Sequence, residues 1–262
     1  MDSTPDHRDL PPLAAFLLRW LRRLAVGGGA LLALLVLAEL ATIPFLTKRS
    51  DRFLRAGLAN GQPVWIDNVF FPYRFATARA ARPAPPTVVP QTPAPGTLRV
   101  ALLGGTAAVG FPVASFGIGR QLEILLRHRY PERPVEVVQL TLAGGNSHVL
   151  REAARDLRRV RPQAVVVMTG NEEVAGPYGP ASSLGRFHHS SRIARALVLF
   201  SRTRLARLGS AARDRLDPAR ADDQAWRSRE SISLRGRMSP RDPRLRSAYR
   251  SFRKNLAAIL RQ

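Results

Sequence analysis

Read for hydrophobic and polar positions, the chain opens on a polar, proline-containing tail, residues 1–23, which ends in the basic cluster Arg19, Arg22 and Arg23. Residues 24–46 are then nearly all apolar, with Glu39 the one charge. About 20 residues rising 1.5 Å each cross a hydrocarbon core, so this run predicts a transmembrane helix. Glu39 would cost about 2.5–3.5 kcal/mol at the bilayer centre. It lies toward the end of the run, and the leucines between Leu31 and Leu37 offset it. A secretory signal peptide would have a shorter apolar region and a clear small-x-small cleavage site. The expectation is an uncleaved anchor that places residues 24–46 in the lipid bilayer.

Arg8, Arg19, Arg22 and Arg23 precede the span, and Lys48, Arg49, Arg52 and Arg55 follow it. That balance gives no positive-inside preference. The short leading tail favours a cytoplasmic N-terminus with the large domain periplasmic or otherwise extracytoplasmic. Residues 47–97 read as a connection. An aromatic group (Trp65, Phe70, Phe71, Tyr73, Phe75) is followed by prolines from Pro83 to Pro95, the composition of a stiff, extended linker.

From Leu98 the pattern alternates. Leu98–Leu103, Val135–Leu140 and Ala164–Met168 are short apolar runs bounded by glycine or proline and predict buried strands. Gly117–Tyr130 and the stretch from Gly145 to Val160 have helical spacing. Strands alternating with helices imply a parallel, helix-covered sheet. Beyond Gly179 the pattern weakens. Ser191–Leu208 predicts a basic helix, Ala211–Ser239 an exposed excursion, and Pro243–Leu260 an amphipathic helix. As the last of three strands, Ala164–Met168 would be an apolar edge and an aggregation site unless covered.

Composition changes this picture in two places. Hydrophobic content of 45% suits a globular core, and the absence of cysteine excludes disulfides and thiolate metal sites. Nothing in the chain implies a metal or other cofactor. The formal net charge is +22, and all but Lys48 and Lys254 of the 41 basic side chains are arginine. Such a balance fits an anionic partner or an arginine bias spread over solvated faces. No aromatic interleaving accompanies it, so nucleic acid is not expected.

Three predicted strand ends carry suggestive residues: Gly105-Thr106, Gly144-Gly145-Asn146-Ser147 and Gly170-Asn171-Glu172-Glu173. In the segments VALLGGTAAVGFP, AGGNSHVLREAARD and TGNEEVAGPYG the chain resembles the SGNH (GDSL-type) hydrolases, in a membrane-anchored bacterial branch. The resemblance implies a three-layer α/β/α domain over residues 98–262 with a flavodoxin-like parallel sheet, incomplete at the C-terminus. It also implies acyl-ester substrates. In that family a serine attacks the ester, a glycine N–H and an asparagine stabilise the oxyanion, and a late Asp-x-x-His supplies the base.

Carried over, the nucleophile position falls on Thr106 and the oxyanion glycine on Gly144. The asparagine position falls on Glu172 in the ungapped register, or on Asn171 after a one-residue slip. None of the five histidines has an aspartate three residues before it. The expectation is therefore a truncated or catalytically impaired relative. Two alternatives stand beside it: an active esterase using Thr106 with His148, His188 or His189 as a substitute base, and a non-enzymatic envelope protein that binds anionic surfaces. Without catalysis, Thr106 is a turn residue, Glu172 and Glu173 favour a helix N-terminus, and His148 sits in the first turn of a helix.

Overall fold

The structure, a computed structural model, describes residues 12–44, 50–76, 81, 84–110, 114–182, 191–216 and 238–262. The chain divides into two compact units, Met1–Lys48 and Arg49–Gln262. In the first, helix α1 runs from Pro12 to Ala41. Its segment Phe16–Ala41, with mean hydropathy 2.2, is long and apolar enough to cross a membrane.

The helix starts well before the Leu24 boundary, so residues 12–23 of the basic tail are helical. Hydropathy marks which part suits lipid, whereas helix formation follows propensity. Pro12 fits a first turn, and the Leu, Ala and Arg residues after it are strong helix formers. After Ala41 the amide and hydroxyl of Thr42 both turn back onto the Glu39 carbonyl. Residues 45 and 46 of the expected span lie outside the described residues.

The second unit holds two sheets. Strands β1 (Leu54–Ala59), β2 (Gln62–Asp67) and β3 (Val88–Pro90) form an antiparallel sheet in the order β1-β2-β3. The described residues of the 47–97 stretch, 50–76 and 84–97 above all, are therefore folded into the domain and are not a linker. Asn60 and Gly61, at φ +50° and +74°, make the two-residue turn between β1 and β2, a conformation that Asn-Gly adopts readily. Phe53, Leu54, Phe71 and Val89 are buried in the main core. Phe53 and Phe71 meet edge to face at 5.1 Å. The Leu54 amide donates to the fully buried Asp156 carboxylate at 2.9 Å.

Strands β4 (Leu98–Gly104), β5 (Val135–Thr141) and β6 (Ala164–Met168) form a parallel sheet in the order β5-β4-β6. Helices α2 (Thr106–Val109) and α3 (Ile118–Arg129) lie between β4 and β5. Helices α4 (Ser147–Ala153) and α5 (Leu157–Val160) lie between β5 and β6, separated by a tight turn at Ala154–Asp156. That turn interrupts the single helix expected through Val160, at the aspartate that holds the Leu54 amide. The unit is thus mixed α/β with a small parallel sheet.

Alternate residues of β4 serve two cores. Ala101 and Leu103 pack with Leu140, Leu150, Val160 and the β1–β3 residues, whereas Val100 and Leu102 pack with Ile118, Leu122 and Leu126. Within this strand Arg99 is fully buried. Its guanidinium donates to Glu136 at 2.7 Å, the Val160 carbonyl at 3.0 Å and the Pro90 carbonyl at 2.8 Å. Beyond the sheet, α6 (Ser191–Phe200) and α7 (Arg204–Leu216) replace the expected helix 191–208, broken at Ser201–Thr203. Residues 217–237 of the expected excursion lie outside the described residues. Helix α8 (Pro243–Leu260) opens on Asp242, whose carboxylate accepts from the Arg244 amide at 2.9 Å.

Candidate functional site at the strand ends

The carboxyl end of β4 runs into Gly104-Gly105-Thr106, and Thr106 begins α2 with Gly105 as its cap. The first two loops touch backbone to backbone here. A Cβ on Gly105 would lie 2.5 Å from the Gly145 carbonyl oxygen, so no larger residue fits without a shift. Gly144, at φ +72°, uses the left-handed conformation that glycine adopts without strain. That bend lets its N–H donate to Thr106 Oγ1 at 2.8 Å. Thr106 Oγ1 in turn donates to Glu172 Oε1 at 2.6 Å.

Thr106, Gly144 and Glu172, from three loops that follow three different strands, therefore form one hydrogen-bonded cluster. Asn171, the alternative to Glu172, is exposed. The arrangement has two chemical sides. A hydroxyl donating to a carboxylate is the ground-state geometry of a nucleophile and its base. Yet the Gly144 N–H, which would face an oxyanion, is already engaged by the nucleophile position itself. The hydroxyl's proton is held by Glu172.

The histidine nearest in sequence to these loops is committed elsewhere. His148 is buried in α4, edge-on to Tyr178 at 5.8 Å. Its Nδ1 accepts from Asn255 Nδ2 at 3.1 Å, which leaves the neutral ring's proton on Nε2. Burial, then the nearby charges of Arg151 and Arg195, push its pKa down to about 4. It is a neutral ring tied to Asn255. His128 is exposed on α3, and His7, His188 and His189 lie outside the described residues.

Glu173 is buried beside the start of α4, where it accepts from the Ser147 amide at 2.6 Å and the Ser147 hydroxyl at 2.8 Å. Burial raises its pKa against the opposing pull of those two bonds. Asn255 Nδ2 also donates to Ser147 Oγ at 3.1 Å, so Glu173, Ser147, Asn255 and His148 form a buried polar chain from the third loop to α8. Glu173 thus does favour a helix N-terminus, but that of α4 across the chain and not a helix of its own. Residue Asn255 escapes sequence reading because it stands inside an amphipathic helix with no motif around it. Adjacent to this chain, Tyr178 sits at φ +62°, a strained value for a bulky residue, with its ring buried.

A second polar network centres on Glu152 of α4. Arg74 donates to Glu152 at 2.9 Å, and Arg202 reaches the same carboxylate at 2.8 Å. Burial alone would raise Glu152, but these two arginines override it and hold the carboxyl below its ordinary value. Arg74, Arg202 and Asp51 line a cavity of about 440 Å3 with Phe70 and Tyr73; Thr106 does not line it. Among the described residues no three His, Asp or Glu side chains converge as metal ligands would. No family model, curated protein or solved structure matches the chain.

Proposed function

We propose that the chain is a membrane-anchored SGNH-type hydrolase-like protein whose strand-end site no longer hydrolyses acyl esters. Its α1 helix holds the domain at a bilayer, and the domain lies on the extracytoplasmic side. The observation that carries this reading is the double engagement of Thr106 Oγ1, donating to Glu172 at 2.6 Å and accepting from Gly144 at 2.8 Å.

An ester carbonyl attacked at Oγ1 would develop negative charge beside Gly144, where Glu172 already contributes an anion. An oxyanion donor is worth about 2.7–4 kcal/mol, and a carboxylate in that place opposes the charge as well as withholding the donor. The methyl group of Thr106 further restricts the attacking rotamer.

The test is hydrolysis of a p-nitrophenyl acyl ester series by the full chain in nonionic detergent. Turnover no higher than that of Thr106→Ala is expected. The short Thr106–Glu172 contact also favours a second reading, an esterase with Glu172 as general base. In that case the unmodified chain turns over, and both Thr106→Ala and Glu172→Gln abolish the activity, which would overturn the first reading.

A further inference from the structure

Helix α8 has two faces of different chemistry. Leu245, Ala248, Ser251, Asn255 and Ile259 are buried. Opposite them stand Arg246, Arg250, Arg253, Lys254 and Arg261, all exposed. At about 100° per residue these five fall within an arc of roughly 100°. Arg195 of α6 joins them, and the six cations line one open groove of about 700 Å3 that also includes Tyr249.

Among the described residues no acidic side chain lines the groove. Neither α6 nor α8 contains an aspartate or glutamate. Elsewhere the same side chain is paired: Arg127 with Glu123, Arg155 with Asp51, Arg159 with Asp156, Arg202 with Glu152 and Arg244 with Asp242. The groove cations instead repel one another at helical spacing, as in Arg246–Arg250 and Arg250–Lys254. The field extends inward, since Arg195 adds to the effect of burial in lowering the proton affinity of His148 and of Arg151.

We infer that the α6–α8 groove binds a linear, multiply phosphorylated ligand. Five of its six cations are guanidinium groups, whose planar fork matches phosphate oxygens in pairs. From Arg246 to Arg261 the stripe runs about 22 Å along the helix, several phosphate spacings and more than a single anion can engage. A bilayer surface fits less well, because a helix lying in a headgroup layer inserts its apolar face, and that face of α8 is buried in the core. Single-stranded nucleic acid also fits less well. Such sites stack successive bases on several aromatic rings, and among the described residues Tyr249 is the one aromatic side chain lining this groove.

The inference is independent of the ester chemistry at Thr106. Its test is calorimetric titration of the full chain in nonionic detergent with medium-chain linear polyphosphate, and with orthophosphate at equal total phosphate. Polyphosphate is expected to bind at least about tenfold more tightly, with affinity falling steeply with salt. The triple change Arg250→Ala, Arg253→Ala and Lys254→Ala is expected to weaken binding about tenfold or more and to flatten the salt dependence. Arg55→Ala, Arg129→Ala and Arg158→Ala together, all exposed and outside the groove, remove the same charge and leave the affinity within about twofold. Equal weakening by both triples would overturn the groove as a site. Tighter binding to phosphatidylglycerol vesicles, or to a single-stranded oligonucleotide of matched charge, would overturn the ligand class.

Discussion

Burial gives His148 a pH dependence that sequence alone does not suggest. In the folded chain its pKa is held to about 4, against an ordinary value of 6.5. As pH falls through this window the unfolded chain takes up the proton first. Stability is therefore full above about pH 6.5 and declines toward pH 4, by roughly 3 kcal/mol in all. Thermal melts of the full chain across that range should show the decline, and His148→Gln should flatten it. A slope unchanged in the variant would mean that other groups carry it. Arg99 is the residue that pattern reading hides most completely. It stands in a run that reads as apolar, and its partner Glu136 is found only once β4 and β5 are in register. Removing Glu136 would leave the fully buried guanidinium without its counter-charge, a loss of up to about 3–5 kcal/mol. By contrast Thr106, Gly144 and Glu172 are legible, because glycine pairs mark strand ends and an ungapped register points to Glu172. The direction in which the Thr106 hydroxyl donates is visible only in three dimensions.

The elements divide in a similar way. The three strands of the parallel sheet and helices α3 and α8 follow from periodicity, since each has a continuous apolar run or stripe. The β1–β2 hairpin does not stand out, although Asn60-Gly61 is the sequence signal for it. Its strands are short, and the aromatic and proline content around them reads as a connection. Strand β6 was legible as an edge, and it is one: β4 pairs with one side, and among the described residues no strand pairs with the other. Val165 and Val166 are 42% and 39% exposed, an apolar edge open to strand addition. Val166→Lys should lower light scattering of the concentrated protein while changing stability by no more than about 0.5 kcal/mol. Undiminished scattering would place the sticky surface elsewhere.

At the scale of the molecule, the domain begins near residue 49 and not at Leu98. Phe53, Leu54, Phe71 and Val89 share one core with Leu103, Leu140, Leu150 and Ile259. A fragment comprising residues 49–262 should show a cooperative melt and elute as a discrete species in gel filtration. A fragment comprising residues 98–262 should expose the other half of that core and aggregate. If the shorter fragment melts as cooperatively as the longer one, β1–β3 are an accessory layer.

The hydrogen bond from the Leu54 amide to Asp156 joins residues 102 positions apart. At about 5–20 residues per second, a ribosome needs roughly 5–20 s to supply the partner once the first of the pair has been made. For that interval Phe53, Leu54 and Phe71 have none of their α4 and α5 contacts, and they emerge just behind an apolar helix. An early aromatic segment is therefore made well before the late helix that covers it. A chaperone that shields nascent aromatic segments would act in that window.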